Sequence, residues 1–546
     1  MERFYQLYHF YKKPLLIVSI LNLIFSVVFT THFEEYEGIF SSFVQGIYTT
    51  PSIKEWNVDV HFFLYGFYAY INQYFPTIQV YGIILLIYNF VSLTFIGFIL
   101  YRILRINLNN ESLWVFIMLY SILSIDNIVN LSTNRIAFVL LAATFGFIES
   151  SINQHKKISK IKTIFILCVM LFVSLLRFDF AILASLIYLL LAILHRRFNR
   201  FIFISFFVSI SITLLYNFIM MNYMSEARQI YYYKELDFVM RNNYDYKQFT
   251  NLQTLEVNAF YHAIFDKVHM TWDFYNSISL RGKDKGFFSL FYGLNTYAFI
   301  NTFKKSVVEY EAAWYFILFS ITSALFLIKK QTGKRLFWIT HLIITILFPT
   351  LVCFYVVTPL RFLVPYYSIL GVFYLCIYLY YFKLDNYVSI LSALALIVIA
   401  FYAFAAKKNY HQKDEVIINS IKKIEALNVT QNYKLPIIIN NFDPTKFFPE
   451  NPYLQIKKQN VLFLNLYYFM SYDCYIDKWN EACNCDALSL KDKVDYIIAK
   501  EALFIIDNST LEFMINYFKM KYNKNLIANK IEAFDKELNI YKLNYE

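Results

Sequence analysis

The feature that most constrains this chain is a succession of long, nearly uninterrupted apolar runs. A helix needs roughly 20 apolar residues to cross about 30 Å of hydrocarbon. Runs of this kind stand at 14–30 and at about 80–101, 113–131, 136–152, 163–176, 180–194, 201–220, 313–328, 336–357, 362–382 and 387–405. They predict a polytopic α-helical membrane protein with about eleven spans. The first run, behind Lys12-Lys13, has the rival reading of a signal peptide, but Thr31-His32-Phe33-Glu34 offers no small-residue cleavage site. Composition agrees: 58% of the 546 residues are hydrophobic and 16% charged, against about 45–50% and 25% in globular chains. Eleven Gly and ten Pro are too few for a low-complexity chain.

A formal net charge of +11 invites a nucleic-acid reading, which fails once the charges are located. They punctuate the apolar runs. With the N-terminus in the cytoplasm, the inner loops carry Arg102 and Arg105, then Lys156, Lys157, Lys160 and Lys162, then Arg196, Arg197 and Arg200. Lys329, Lys330, Lys334 and Arg335 follow, and finally Lys383. The short outer turns carry one basic residue each, Arg135, Arg177 and Arg361. Short-loop Lys/Arg bias sets orientation, so the expected topology is N-in, C-out. The aromatic share of 21% suits spans and interfacial belts.

Three longer segments fall outside: the loops 31–79 and 221–312, and the tail from 406 onward. Residues 1–405 are expected to form the membrane domain and 406–546 a soluble outer domain. In the tail Val416, Ile417, Ile421, Ile424 and Leu427 recur at helical spacing. Short apolar runs follow at 435–439, 461–464, 496–499 and 503–506, then a helix-like stretch at 509–522. Strands alternating with helices predict a small α/β fold. There is no internal repeat, P-loop or Gly-x-Gly-x-x-Gly element.

Runs five and six share only the 32 residues from Thr163 to Leu194. About 16 each rise roughly 24 Å, so the turn Leu176-Arg177-Phe178-Asp179 is expected below the outer surface. Ionised groups at that depth are functional candidates by default; a structural Arg–Asp pair locking two helices is the alternative. A second outward arginine, Arg361, stands between Pro359 and Pro365. It reads either as a snorkelling side chain or, with Arg177, as an anion site suited to a lipid-linked phosphate. The first outer loop supplies carboxylates at the membrane exit, in His32-Phe33-Glu34-Glu35-Tyr36-Glu37 and Asn57-Val58-Asp59-Val60-His61. Such a group can act as general base toward a hydroxyl or be a solvated acidic rim.

In this order, the elements resemble the GT-C superfamily of integral-membrane glycosyltransferases, in particular bacterial members related to protein O-mannosyltransferases and aminoarabinose transferases. Glu34-Glu35 stand where the family's acidic pair holds its catalytic base. Asp59-Val60-His61-Phe62-Phe63 corresponds to a His-Pro-Pro-like element without the prolines. Ser132-Thr133-Asn134-Arg135 corresponds to a Thr-Asp turn without the aspartate. Leu176-Arg177-Phe178-Asp179 matches the basic turn before span six, and Arg361-Phe362-Leu363-Val364-Pro365 the start of a late span.

The resemblance implies transfer of a sugar from a polyprenyl-phosphate donor to an acceptor hydroxyl, with inversion, at the outer face of a bacterial cytoplasmic membrane. Glu34 or Glu35 would be the base. Asp59, His61, Asn134, Arg135, Arg177, Asp179 and Arg361 would bind substrate, and a divalent ion (Mg or Mn) is a possible aid. The acceptor is a glycan, a lipid or a protein; nucleic acid is no partner. A transporter or flippase of lipid-linked saccharides and a non-enzymatic envelope assembly protein are the rival classes.

In the 221–312 loop, His262, Asp266, His269 and Asp273 share a helix face and could ligate a metal or be ordinary surface residues. Cys474, Cys483 and Cys485 lie in the outer tail, where one disulfide is possible. Asn428-Val429-Thr430 and Asn508-Ser509-Thr510 match the glycosylation pattern, which matters only in a secretory setting.

Overall fold

The computed structural model describes residues 2–29, 31–33, 37–48, 62–75, 78–107, 112–153, 159–194, 200–223, 250–262, 264, 342–347, 366, 369–372, 386–431, 434–440, 444–454, 458–464, 478–482 and 489–546. This portion is mostly helical. The first body comprises α1 (Glu2–Val28), β1 (His32–Phe33), α2 (Glu37–Gln45), α3 (Phe62–Tyr74), α4 (Val80–Asn107) and α5 (Ser112–Val129). It continues with β2 (Asn130–Leu131), α6 (Thr133–Asn153), α7 (Lys160–Leu176), α8 (Phe178–Leu194) and α9 (Arg200–Tyr223). Then come α10 (Asn251–Tyr261), a π-helical turn (Ile343–Leu347) and α11 (Asn386–Thr430).

Seven of the apolar runs correspond to α1 and α4–α9, and the run at 387–405 to the first half of α11. The run at 313–328 lies outside the described residues; those at 336–357 and 362–382 are described only in part. Val80–Leu104 and Thr133–Ile152 are long and apolar enough to cross a membrane, and shorter apolar stretches lie at Pro14–Val28, Phe116–Val129, Phe180–Ile193 and Phe206–Tyr216.

The helices differ in what surrounds them. α6 is buried almost throughout, from Ile136 and Ala137 to Phe145 and Ile148. α1, α4, α8 and α9 turn apolar sides outward instead: Leu23 and Val27, Ile87 and Val91, Leu186 and Ile193, Phe207 and Phe218 are all exposed. Single exposed apolar side chains are ordinary, but here they recur along four helices.

Inside the bundle Asn22 of α1 donates to Thr94 of α4 at 3.2 Å and accepts from Tyr120 of α5. Polar groups that join three helices in apolar surroundings fix their register. Gly97 permits this approach, because a Cβ there would meet Tyr120 at 2.6 Å and Val18 at 2.8 Å.

The C-terminal part holds β3 (Ile437–Ile439), a 3₁₀ turn (Pro444–Phe447), β4 (Val461–Phe463), α12 (Leu490–Ala499), β5 (Phe504–Asp507), α13 (Asn508–Tyr522), β6 (Leu526–Ala533) and β7 (Leu538–Tyr545). The sheet order is β4-β3-β5-β7-β6. β3 runs parallel to β4 and β5, with Ile438 opposite Leu462 and Phe504; β7 is antiparallel to β5 and β6. The three parallel strands are buried along their apolar residues, as strands covered on both faces are.

Two details depart from the sequence expectation. The apolar run at 496–499 is the end of α12, which begins when Ser489 accepts from the Asp492 amide at 3.2 Å. Also, α11 runs unbroken through the boundary drawn at 405/406, because no Gly or Pro interrupts the 45 residues from Asn386 to Thr430. The polar stretch 407–415 continues that helix, mostly exposed but with Asp414 buried and Tyr410 partly so.

The C-terminal fold sits against the segment that follows α1. The Phe33 amide donates to Glu450 O, Gln459 N–H to Ile47 O at 3.0 Å, and Tyr48 Oη to Phe447 O at 2.6 Å. Burial raises the Tyr48 hydroxyl far above its ordinary range, so it serves only as a neutral donor. Gly38 is required here, since a Cβ would collide with the Pro449 carbonyl oxygen.

Candidate functional site

The site is built where chain segments converge at one end of the bundle. β1 and β2 pair in parallel, His32 beside Asn130 and Phe33 beside Leu131. This brings the end of α1 together with the end of α5 and the start of α6. The α7–α8 turn belongs to the same end, since Phe138, one turn past Arg135, lies 4.9 Å from Phe180, one turn past Arg177.

Four carboxylates organise this seam. Glu37, at the start of α2, accepts from the Thr133 amide at 2.8 Å, from Thr133 Oγ1 at 2.7 Å and from Tyr81 Oη. A carboxylate on the first amides of α6 also gains from the helix dipole. Asp126 is ion-paired with Arg135 and accepts from Asn130 Nδ2 at 3.1 Å; Asp126 and Arg135 are both buried. Asp414, from α11, accepts from His32 Nε2 at 3.1 Å and from Asn451 Nδ2 at 3.3 Å. Glu450 lies 3.7 Å from Lys413. Tyr410 joins the groups: its ring stacks on His32 at 4.2 Å, and its hydroxyl donates to Asn130 Oδ1 at 2.6 Å.

Arg177 interrupts two helices. Its φ of −153° and ψ of 89° end α7, its amide donates to Val173 O at 2.8 Å, and its carbonyl accepts from Ala181 N at 3.0 Å, starting α8. The half-buried guanidinium lies 4.6 Å from the centre of the Phe180 ring, a cation–π arrangement.

Of the residues singled out by sequence, Asn134, Arg135 and Arg177 are thus brought to one end. Asn134 is buried with its Oδ1 unpartnered. Asp179 is the second residue of α8, its side chain outside the described set. Glu34, Glu35, Asp59, His61 and Arg361 lie outside the described residues, as do Asp266, His269, Asp273, Cys474, Cys483 and Cys485. Among the described residues no group of three or more His, Cys, Asp or Glu side chains could hold a metal ion.

Asp126, Asn130, Tyr410 and Asp414 escaped sequence reasoning. Asp126 had a signal, an acid inside the apolar run 113–131. Asp414 had none, sitting among ordinary surface charges of α11.

A second polar junction holds α10 on the C-terminal fold. Glu256 is buried against Lys521 and accepts from Tyr517 Oη at 3.1 Å. His262 stacks on Phe513 at 4.5 Å, its Nδ1 3.5 Å from Thr510 Oγ1, and its carbonyl accepts from Asn440 Nδ2 at 3.4 Å. Burial lowers the His262 pKa, with the Asp507 charge opposing.

Neither a family profile nor any curated protein matches the chain. Among solved structures it is similar to ArnT from Cupriavidus metallidurans in the apo state, over 96% of this chain and 97% of that one, with a TM-score of 0.42 and 8% identity.

Proposed function

We propose that this protein is a membrane-embedded glycosyltransferase that moves a sugar from a polyprenyl-phosphate donor to an acceptor hydroxyl at the outer membrane face. The observation that carries the reading is the convergence of Arg177, the Asn134-Arg135 turn and both described flanks of Glu34-Glu35 at one end of the bundle. Breaking the glycosidic bond leaves growing negative charge on the phosphate oxygen. A guanidinium already in place stabilises that charge without reorganisation. Arg177 has this role, with Arg361 as its partner. Arg135, engaged with Asp126, shapes the turn.

On the acceptor side Glu34 or Glu35 takes the hydroxyl proton, an effect worth roughly 10²–10⁴-fold. Phe33 and Glu37, which flank the pair in sequence, are both held by hydrogen bonds.

The test is release of polyprenyl phosphate from synthetic polyprenyl-phosphate-linked hexoses and pentoses by the purified full chain, with and without Mg²⁺, Mn²⁺ or a chelator. Glu35→Gln and Arg177→Ala are expected to abolish release while the protein remains folded and inserted. Unimpaired rates in both variants overturn the residue assignment. Passage of the intact lipid-linked sugar across vesicles, without bond cleavage, overturns the transferase reading in favour of a transporter.

A further inference from the structure

The strands of the C-terminal fold change their winding direction between β3 and β5. From β3 the chain crosses to β4 on one side. From β5, on the other side of β3, it passes through α13 to β6 and β7. In open α/β sheets such a switch point leaves a crevice outside the carboxyl ends of the strands, and ligands bind there. Here those ends carry Asn440, directly after β3, and Asp507, the last residue of β5 and the N-cap of α13.

The crevice contains an unsatisfied acceptor. Asn440 is fully buried, its backbone amide donates to Ile505 O at 2.9 Å, and its Nδ2 donates to the His262 carbonyl at 3.4 Å. Its Oδ1 has no partner. Buried polar atoms are almost always paired, so such an atom marks a place for a water or a ligand. His262 in turn reaches the first turn of α13, with Nδ1 3.5 Å from Thr510 Oγ1. The Asn440 amide thus lies between the strand ends, the start of α13 and His262.

The neighbouring groups decide what the crevice takes. Asp507 Oδ1 accepts from the Thr510 amide at 2.9 Å and from Ser509 Oγ at 2.7 Å. Burial works against its charge, but these bonds prevail and hold its pKa below the usual carboxylate value. That charge already occupies the positive end of α13. Among the described residues no lysine or arginine bonds to Asn440, Asp507, Asn508 or His262, so an anion finds no counter-charge. The acceptors instead suit a ligand rich in O–H donors. Asn508, exposed at the rim, has its Oδ1 taken by Asn539 Nδ2 and Tyr541 Oη, which leaves its amide N–H groups for a ligand oxygen. Phe513 adds an apolar ring face, covered by His262 stacked at 4.5 Å.

We propose that this crevice is a saccharide-binding site, closed by His262 at the end of α10 until a sugar takes its place on Asn440 and Phe513. The two polar contacts that seat His262, at 3.4 and 3.5 Å, are at the long limit for hydrogen bonds. Glu256, further back on α10, is held by an ion pair with Lys521. The His262 end therefore yields first. On the transferase reading above, on which this last step rests, the saccharide belongs to the acceptor, whose class is thereby a glycan.

The experiment uses the full chain in lipid nanodiscs free of sugar-based detergent, with maltotetraose, cellotetraose, chitotetraose and inorganic phosphate as probes. Saturation-transfer NMR reads saccharide binding, and hydrogen exchange reads α10 and the start of α13. Expected is binding of at least one oligosaccharide, with faster exchange at the end of α10 as His262 is displaced. Asp507→Asn, which keeps a good N-cap, should weaken binding about tenfold. Asn440→Leu should abolish binding without lowering thermal stability, because replacing an unpaired buried acceptor by an apolar group of similar size costs little. Binding of none of the three sugars, or binding unchanged in both variants, overturns the proposal. Phosphate slowing exchange at the start of α13 where the sugars do not overturns it in favour of an anion site. Release of polyprenyl phosphate is measured in parallel. Release without saccharide binding overturns this site alone; binding without release supports the site and overturns the transferase reading.

Discussion

Two polar junctions, one at the end of the helical bundle and one between α10 and α13, are made differently. At the α10–α13 junction Glu256 meets a cation, Lys521, with Tyr517 as auxiliary donor. At the bundle end Glu37 accepts from the Thr133 backbone amide, from Thr133 Oγ1 and from Tyr81 Oη. An ion pair between long side chains tolerates small shifts, whereas a carboxylate on the first amide of a helix fixes backbone against backbone. The first arrangement docks a segment. The second holds the start of α2 to the start of α6, the kind of fixed support that a precise site requires.

Removing charges one side at a time sharpens that contrast. Arg135→Met should have the largest effect, since it leaves Asp126 ionised and buried. Breaking one side of a buried pair costs about 3–5 kcal/mol, visible as a steep fall in thermal stability in detergent. Glu37→Gln keeps one acceptor oxygen and removes the charge, so a loss of about 1.5–3 kcal/mol is expected, with sugar release falling more than global stability. Equal losses in both readouts would mean that Glu37 merely stabilises.

At the other junction a double-mutant cycle of Glu256→Gln with Lys521→Met should give a coupling of about 1–2 kcal/mol, confined to protection of 251–261 from hydrogen exchange. Coupling near zero would remove the distinction drawn here. The smallest effect is one of pH. Because burial lowers the His262 pKa below its usual 6.5, the undocked state binds the proton more readily. Docking of α10 is therefore full above that value and weakens as pH falls through the lower, docked-state pKa. Exchange at 251–261 should rise modestly between pH 7.5 and 5.5, and His262→Asn should abolish the change.

Legibility in the sequence followed the range of the interactions involved. The runs that became α4 and α6 are local facts of hydrophobic length, and the break at Arg177 showed in the shortness of its two runs. The cores of β3, β4 and β5 stood out as Ile- and Phe-rich islands. The β6–β7 hairpin did not, because β6 is an edge strand with Lys530 and Glu532 exposed, the charged edge that guards against pairing with other chains. The seam was hidden for another reason. Its partners are 96 residues apart for Glu37 and Thr133 and 382 apart for His32 and Asp414, and no periodicity records such distances. Glu37 was visible as part of an acidic rim, but not as the residue that faces inward.

The continuity of α11 has a mechanical consequence. At 1.5 Å per residue its 45 residues make a rod of about 67 Å, reaching from the helical body to the doorstep of the sheet, with Asp414 along its length. A tilt of about 5° at one end moves the other by about 6 Å. Asp414 on that rod touches His32 at 3.1 Å, so a displacement of its sheet end is carried along one helix to the β1–β2 pairing.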